Sequence, residues 1–460
     1  MNKNREELFE TSPIGRAVLT LAIPTVLSSV VTVLYSLADT YFVGMMNNPV
    51  QTAAVALAAP MLLAFNAVNN LFGVGSSSMI SRALGRKDYK TVRESSSFGF
   101  YGAFFCGALF ALLTTVLRGP LLVLLGADSV TGIPTGGYLN WTVTVGAVPA
   151  ILNVVMAYMI RSEGSALHAS IGTMSGCLLN IVLDPIFILP WGLNMGAVGA
   201  ALATCLSNCF ALVYFLVYLF VRRKTTCISI SPKSLKLNRE IITGVCSVGI
   251  PASIQNLLNV TGTTILNNFT ASYGATALAA MGICQKVNMV PMYVAMGLSQ
   301  GLMPLISYNY ASGNRKRMKE ALFFAEKIAL SFLAAVTVIF YFSAGTLTRF
   351  FIEDAQTVAY GTHFLRGFCL ALPFLCVDFM AVGTFQAVGM GKESLFFAIS
   401  RKVILEIPLL YVLNHFFPLY GLPFAQVIAE IILAVLSVFV LARFLRKSGA
   451  VGRSSDTAGK

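Results

Sequence analysis

The sequence predicts an all-α membrane protein: twelve transmembrane helices in two pseudo-symmetric six-helix lobes around a central cleft. Three observations predict it. Hydrophobic residues make up 56% of 460 positions and charged residues only 11%, against roughly 25% charged in a soluble domain. The apolar stretches run for about 20 to 28 residues, enough to cross a hydrocarbon core of about 30 Å as helices, and they lack the alternation of barrel strands. The second half repeats the first at a nearly constant offset.

The spans are predicted at about 17–45, 52–80, 96–118, 136–160, 168–190, 196–221, 241–269, 275–307, 321–344, 359–386, 396–416 and 421–443. Ahead of the first, "MNKNREELFETSPIGR" is polar, with no short apolar core before a small-residue cleavage site. It is therefore expected to remain as an interfacial lead-in, with Ser12 capping a helix begun by Pro13. The connections then alternate in charge. Residues 46–51, 191–195 and 270–274 carry no basic residue. The connection 82–94 carries Arg82, Arg86, Lys87, Lys90 and Arg93, while 222–240 carries six basic residues and 313–320 carries four. Basic loops stay in the cytoplasm, so both termini of this multi-pass protein are expected there. The formal charge of +13 then reflects topology anchors such as Arg222-Arg223-Lys224, and no nucleic-acid partner is expected.

The repeat fixes the predicted domains. "LAIPTVLSSV" at 21–30 matches "VGIPASIQNL" at 248–257, proline on proline. "RALGRKDYK" at 82–90 matches "YASGNRKRMK" at 310–319, and "AVPAILNVVMAY" at 147–158 matches "ALPFLCVDFMAV" at 371–382. The expected division is an N-terminal lobe (1–221), a cytoplasmic linker (222–240), a C-terminal lobe (241–445) and a cytoplasmic tail (446–460). Six spans per unit makes the copies parallel, an arrangement suited to alternating access.

Against this apolar background one acid stands out. Asp39 lies mid-span in "YSLADTYFVG" with no basic residue within twenty positions, although a charge at membrane depth is unfavourable by about 2.5 kcal/mol or more. Asn180 and Asp184 in "NIVLDPIF" are four apart and share a helix face, as do Ala200 and Thr204 in "GAALATCLSN". At a rise of about 1.5 Å per residue, Asp39, Asn180, Asp184 and Thr204 fall at a similar level in the outer half of the membrane. Oxygens at one level suit a hard cation such as sodium; two neighbouring carboxylates equally suit a shared proton. Pro24 interrupts the first span ahead of Asp39, which makes it a candidate conformational switch. The second half has a different set: Lys286, Asp378, Glu406 and Glu430. Lys286 is either half of an internal ion pair or a residue of the substrate cavity.

Nothing points to an enzyme. Nine cysteines form no CxxC pair, and His168, His363 and His415 form no metal-ligand pattern. "GVGS" at 73–76 follows a membrane helix rather than a strand, so it does not read as a phosphate loop. No cofactor is expected beyond a coupling ion, H+ or Na+.

The stretches "LAIPTVLSSVVTVLYSLADTYFVG", "RALGRKDY", "NIVLDPIFI", "GAVGAALAT" and "GLSQGLMPLISYNYASGNRKRMKEA" resemble the multidrug and toxic compound extrusion (MATE) family, in its bacterial MepA-like branch, from about Ile14 to Leu445. The resemblance implies efflux of cationic, amphipathic compounds by antiport with protons or sodium. It places a cation site on Asp39, Asn180, Asp184 and Thr204, with the Ala200 carbonyl and Asn153 as further members. An acid that some members carry in the seventh span is Asn259 here. Expected partners are small organic cations and membrane lipids, and the lobes need no second subunit. The rival reading is a flippase for a lipid-linked precursor, which should line its cavity with basic residues. Lys286 is the one clear intramembrane cation by sequence, against Asp39, Asp184, Asp378, Glu406 and Glu430.

Overall fold

A computed structural model describes residues 3–46 and 48–457, and among these every regular element is a helix. Ten helices are long and apolar enough to cross a membrane, and the pair Gly132–Val145 and Ala147–Ser162, bent by 49°, is an eleventh. The predicted eleventh span is helical from Gly391 to Phe416, but Arg401, Lys402 and Glu406 in its middle make it too charged to qualify by composition. Several helices overrun the predicted limits. The helix predicted at about 321–344 runs Arg315–Phe351, because an N-cap at Asn314 and not the edge of the apolar run decides where it begins. The predicted tail continues the last helix to Thr457, and residues 458–460 lie outside the described part.

The chain divides into two units, but not at the linker. One unit holds Leu27–Ser253 with the segment before Ser12; the other holds Ser12–Val26 with the segment from Ile254 onward. Part of the first predicted span groups with the second unit, and the linker groups with the first. The changes after Val26 and after Ser253 fall within continuous helices, each two residues beyond a proline; the change at Ser12 falls between helices. Pro24 lies inside α2 (Ile14–Met45) and Pro251 inside α11 (Arg239–Ala271). These are the prolines that the repeat superimposes.

In the first unit, α1 (Lys3–Glu10) precedes α2. A π-helical turn joins α3 (Pro49–Val68) to α4 (Gly75–Gly85). Then follow α5 (Tyr89–Val116), the short α6 (Arg118–Leu124), α7 (Gly132–Leu139), α8 (Ala147–Ser162), α9 (Ala166–Ile188) and α10 (Ala197–Val221). α9 and α10 approach closely through Gly172 and Gly176. A Cβ on Gly172 would lie 2.3 Å from the Phe215 ring, and one on Gly176 3.1 Å from Ala211. A small-xxx-small pair brings membrane helices together in this way. Counting on by fours along the same face gives Asn180 and Asp184. The start of α10 is fixed by Gly196, at φ +60°, and by Gln51, whose Oε1 accepts from Ala197 N at 2.9 Å.

The second unit contains α12 (Ala275–Ala311), α13 (Arg315–Phe351), α14 (Ala355–Val388), α15 (Gly391–Ile399), α16 (Ile407–Phe416) and α17 (Leu422–Thr457), with a π-helical stretch Ser400–Glu406 between α15 and α16. Met281, Phe364, Leu365, Phe368 and Leu422 are among its buried core. The repeat extends to the caps. Asp88 caps α5 through Thr91 N at 3.1 Å, and Asn314 caps α13 through Arg317 N at the same distance. Asp128 accepts from Thr131 N at 2.7 Å, and Asp354 accepts from Thr357 N at 2.8 Å.

Candidate functional site

The first unit brings the predicted oxygen ligands together. Asp184 and Asn180 on α9 are fully buried, as is Ala200 on α10; Asp39 and Thr204 are half-buried. Asp39 lies close enough to Asp184 for the two carboxylates to repel each other. The Asn180 amide bridges the neighbours: oriented to satisfy both, its nitrogen donates to Asp184 Oδ2 at 2.8 Å, while its oxygen accepts from Thr204 Oγ1 at 3.2 Å and Thr204 N at 3.1 Å. An amide turned this way supports a carboxyl group directly. To offer its oxygen to a cation beside Asp184, it would have to rotate.

Two aromatic residues that the sequence reading did not single out belong to this cluster. Tyr35, one turn before Asp39 on α2, is hydrogen-bonded to the Thr204 side chain and lies near Asp39. Tyr138 on α7 lies near both Asp39 and Asp184. Spacing could have revealed Tyr35, which stands four residues from Asp39 on one helix face. Tyr138 carries no such signal, because its approach depends on the bend after α7. Asn153 stands on α8. Its Nδ2 donates to Asn208 Oδ1 at 3.1 Å and to the Pro149 and Ala150 carbonyls at 2.8 and 3.0 Å. Asn208 is one turn beyond Thr204 on α10.

The polar residues of the second unit form different contacts from those expected. Asp378 and Glu430 both pair with Arg401, whose Nε lies 3.2 Å from Glu430 Oε1, although neither contact has hydrogen-bond geometry. Glu406 pairs with Lys402, whose Nζ donates to its two oxygens at 2.7 and 2.6 Å. Arg401 and Lys402 were missed because the count of intramembrane cations stopped at Lys286. They stand on the π-helical stretch, which turns them inward against the acids. Lys286 is exposed and forms no ion pair among the described residues. The ion-pair reading of Lys286 is therefore corrected: its candidate partners are held by Arg401 and Lys402. A sixth acid, Glu326 on α13, is half-buried with Oε1 unpartnered. Among the described residues, no group of three or more His, Cys, Asp or Glu could hold a metal ion.

The family model described as MatE matches residues 24–186 and 251–412. The second match begins 227 positions and ends 226 positions after the first, which is the internal repeat; the matches open on Pro24 and Pro251. The chain is 34% identical to the multidrug export protein MepA of Staphylococcus haemolyticus over 436 residues, 94% of each chain. It is 31% identical to MepA of Staphylococcus aureus strain MRSA252 over 434 residues, again 94% of each. Its fold matches the outward-facing conformation of a multidrug resistance MATE family transporter of the MOP superfamily, with a TM-score of 0.91 and 25% identity over 98% of this chain and 99% of the other.

Proposed function

Because the chain belongs to the MATE family, in its MepA-like branch, we propose that it exports cationic, amphipathic compounds across the bacterial cell membrane by antiport with protons or sodium ions, through alternating access. The observation that carries this reading is the carboxylate pair. Asp39 and Asp184 share one site with Asn180, Thr204, Tyr35 and Tyr138, and no ion pair among the described residues neutralises either. Two adjacent carboxylates titrate as one unit and cannot both stay charged at low cost without a cation between them. The coupling ion is cargo: its arrival at the pair relieves the repulsion and its departure restores it. α2 carries Asp39 and the helix-breaking Pro24, so occupancy of the pair can bias the bend of the helix that links the site to the rest of the chain. Substrate release and ion entry are then coupled reciprocally. An inward positive charge gains about 2.3 kcal/mol per 100 mV, which suffices to drive such a cycle.

The buried cations Arg401 and Lys402 do not favour the flippase reading, because acids already neutralise both. The deciding experiment is transport of a cationic dye in proteoliposomes with proton and sodium gradients imposed separately. One of the two gradients should drive dye movement, and Asp39→Asn should abolish it while the protein still reconstitutes. Wild-type transport by Asp39→Asn would remove the first-unit site from the mechanism and move the search to Glu326 and to the paired acids of the second unit.

A further inference from the structure

We propose that the first unit holds the headgroup of an anionic phospholipid between Arg93 and Arg223, at the end of α10 that the positive-inside rule assigns to the cytoplasm. A cavity of about 700 Å³ opens there. Its walls are Arg93 from the first turns of α5, Val217 and Phe220 from α10, and the segment Thr226–Ile230 of the linker. An adjoining cavity of about 330 Å³ is lined by the same two arginines, with Lys224 and Tyr89.

Both arginines are exposed, and among the described residues neither is in an ion pair. Of the acids nearby, Glu6 accepts from the Tyr89 hydroxyl at 3.4 Å, and Glu94 and Glu163 are already engaged. Glu94 faces Lys236 at 3.8 Å. Glu163 is taken by Arg5 at 2.9 Å, by the Thr226 hydroxyl at 2.8 Å and by Cys227 N at 3.1 Å. The positive charge of the cavity is therefore left for a ligand. A guanidinium pair matches the geometry of a phosphate, and Arg223 is further oriented by its position over the Phe220 ring, 5.4 Å from the centroid.

The linker wall is built rather than loose. Ser97 Oγ donates to Ser229 O at 2.8 Å, and Tyr101 Oη donates to Ile230 O at 3.0 Å. These bonds hold the linker strand against α5.

The choice of a lipid over a free anion rests on α10. Leu206, Phe210, Val213, Val217 and Phe220 are all exposed, at helical spacing on one face. Fourteen positions at about 1.5 Å each make a stripe of about 21 Å, longer than one leaflet's share of a hydrocarbon core of about 30 Å. The stripe runs into the cavity at Val217 and Phe220. An acyl chain along it would deliver its headgroup to the arginines, the arrangement in which basic pockets beside membrane helices select anionic lipids.

The test uses the full-length chain in detergent micelles, with bound lipid counted by native mass spectrometry. Phosphatidylglycerol should be retained in preference to phosphatidylcholine. The double variant R93Q/R223Q should lower its occupancy at least tenfold, and Val217→Ser with Phe220→Ser should also lower it with both arginines intact. Excess inorganic phosphate should not displace the lipid. Undiminished phosphatidylglycerol binding by R93Q/R223Q would overturn the proposal. So would displacement of the lipid by phosphate together with no effect of the Val217 and Phe220 substitutions, which would mark a site for a free anion. If the double variant does not elute as a folded protein, the single variants R93A and R223A are read by the same criterion.

Discussion

At the level of single residues, the intramembrane acids that the sequence singled out are treated in opposite ways by the two units. In the second unit, Asp378, Glu406 and Glu430 each face a basic partner. In the first, Asp39 and Asp184 face each other, with an amide, a hydroxyl and two phenols around them. Paired acids support the fold; unpaired ones are available to a moving ion. Arg401→Ala should therefore leave two buried carboxylates without their cation, a loss on the order of 3–5 kcal/mol, seen as reduced abundance and a lower thermal midpoint in detergent. Stability equal to wild type would mean that the Arg401 contacts contribute nothing. Lys286→Ala should leave abundance unchanged, since Lys286 is exposed, and should shift the preference among cationic dyes if it lines the substrate path. Asp39→Asn and Asp184→Asn should each impair dye export, and the double variant should be little worse than either single, because residues that act as one site are not additive. Additive losses would separate the two into independent roles.

Helix ends and helix breaks come next in scale. The repeat preserves the cap of its third helix but changes its chemistry: Asp88 in the first copy, Asn314 in the second. The Thr91 hydroxyl, at 2.5 Å, and its N–H together hold the Asp88 carboxyl below the ordinary carboxylate range. A lowered pKa means that this cap stabilises α5 at pH values above that range and is lost as pH falls through the folded-state value. Asn314 does not titrate. Protection against hydrogen exchange at the start of α5, corrected for the intrinsic pH dependence of exchange, should therefore fall below about pH 4, while that at the start of α13 should not. Equal responses would show that the cap charge is irrelevant. Asp88→Ala should cost about 0.5–2 kcal/mol, as for other N-caps. Pro24 and Pro251 both stand two residues ahead of a change of unit. Replacing either with alanine restores a backbone donor and stiffens the helix. Transport should fall in both variants while substrate binding persists; a Pro251→Ala variant with full activity would confine the switch to α2.

At the scale of the whole molecule, the loops are expected to set the orientation in the membrane. Residues 82–94, 222–240 and 313–320 carry the basic clusters, and their translocation is disfavoured. In a background with the nine native cysteines replaced, Asn48→Cys should react with an impermeant thiol reagent in intact cells, and Lys233→Cys should not. Labelling at position 233 would invert the topology. The linker is also more than a tether. Its backbone is bonded to Glu163, Ser96, Ser97 and Tyr101, so it forms part of the first unit's surface.

The all-helical membrane fold, the repeat and the family were legible in the sequence because they rest on composition and order, which do not depend on contacts. The grouping of Asp39, Asn180, Asp184 and Thr204 was legible too, since a helix converts sequence position into depth at a fixed rise. Depth, however, says nothing about rotation. Whether a buried charge meets an opposite charge or a like one depends on which way each helix is turned against its neighbours, and sequence order does not specify that. Tertiary packing alone paired Arg401 with Asp378 and Glu430, set Lys402 on Glu406, left Lys286 exposed, and carried Tyr138 to the carboxylates around a bend of 49°. It also placed changes of unit within α2 and α11, because packing partners, not the apolar pattern of a helix, decide which unit each end of that helix joins.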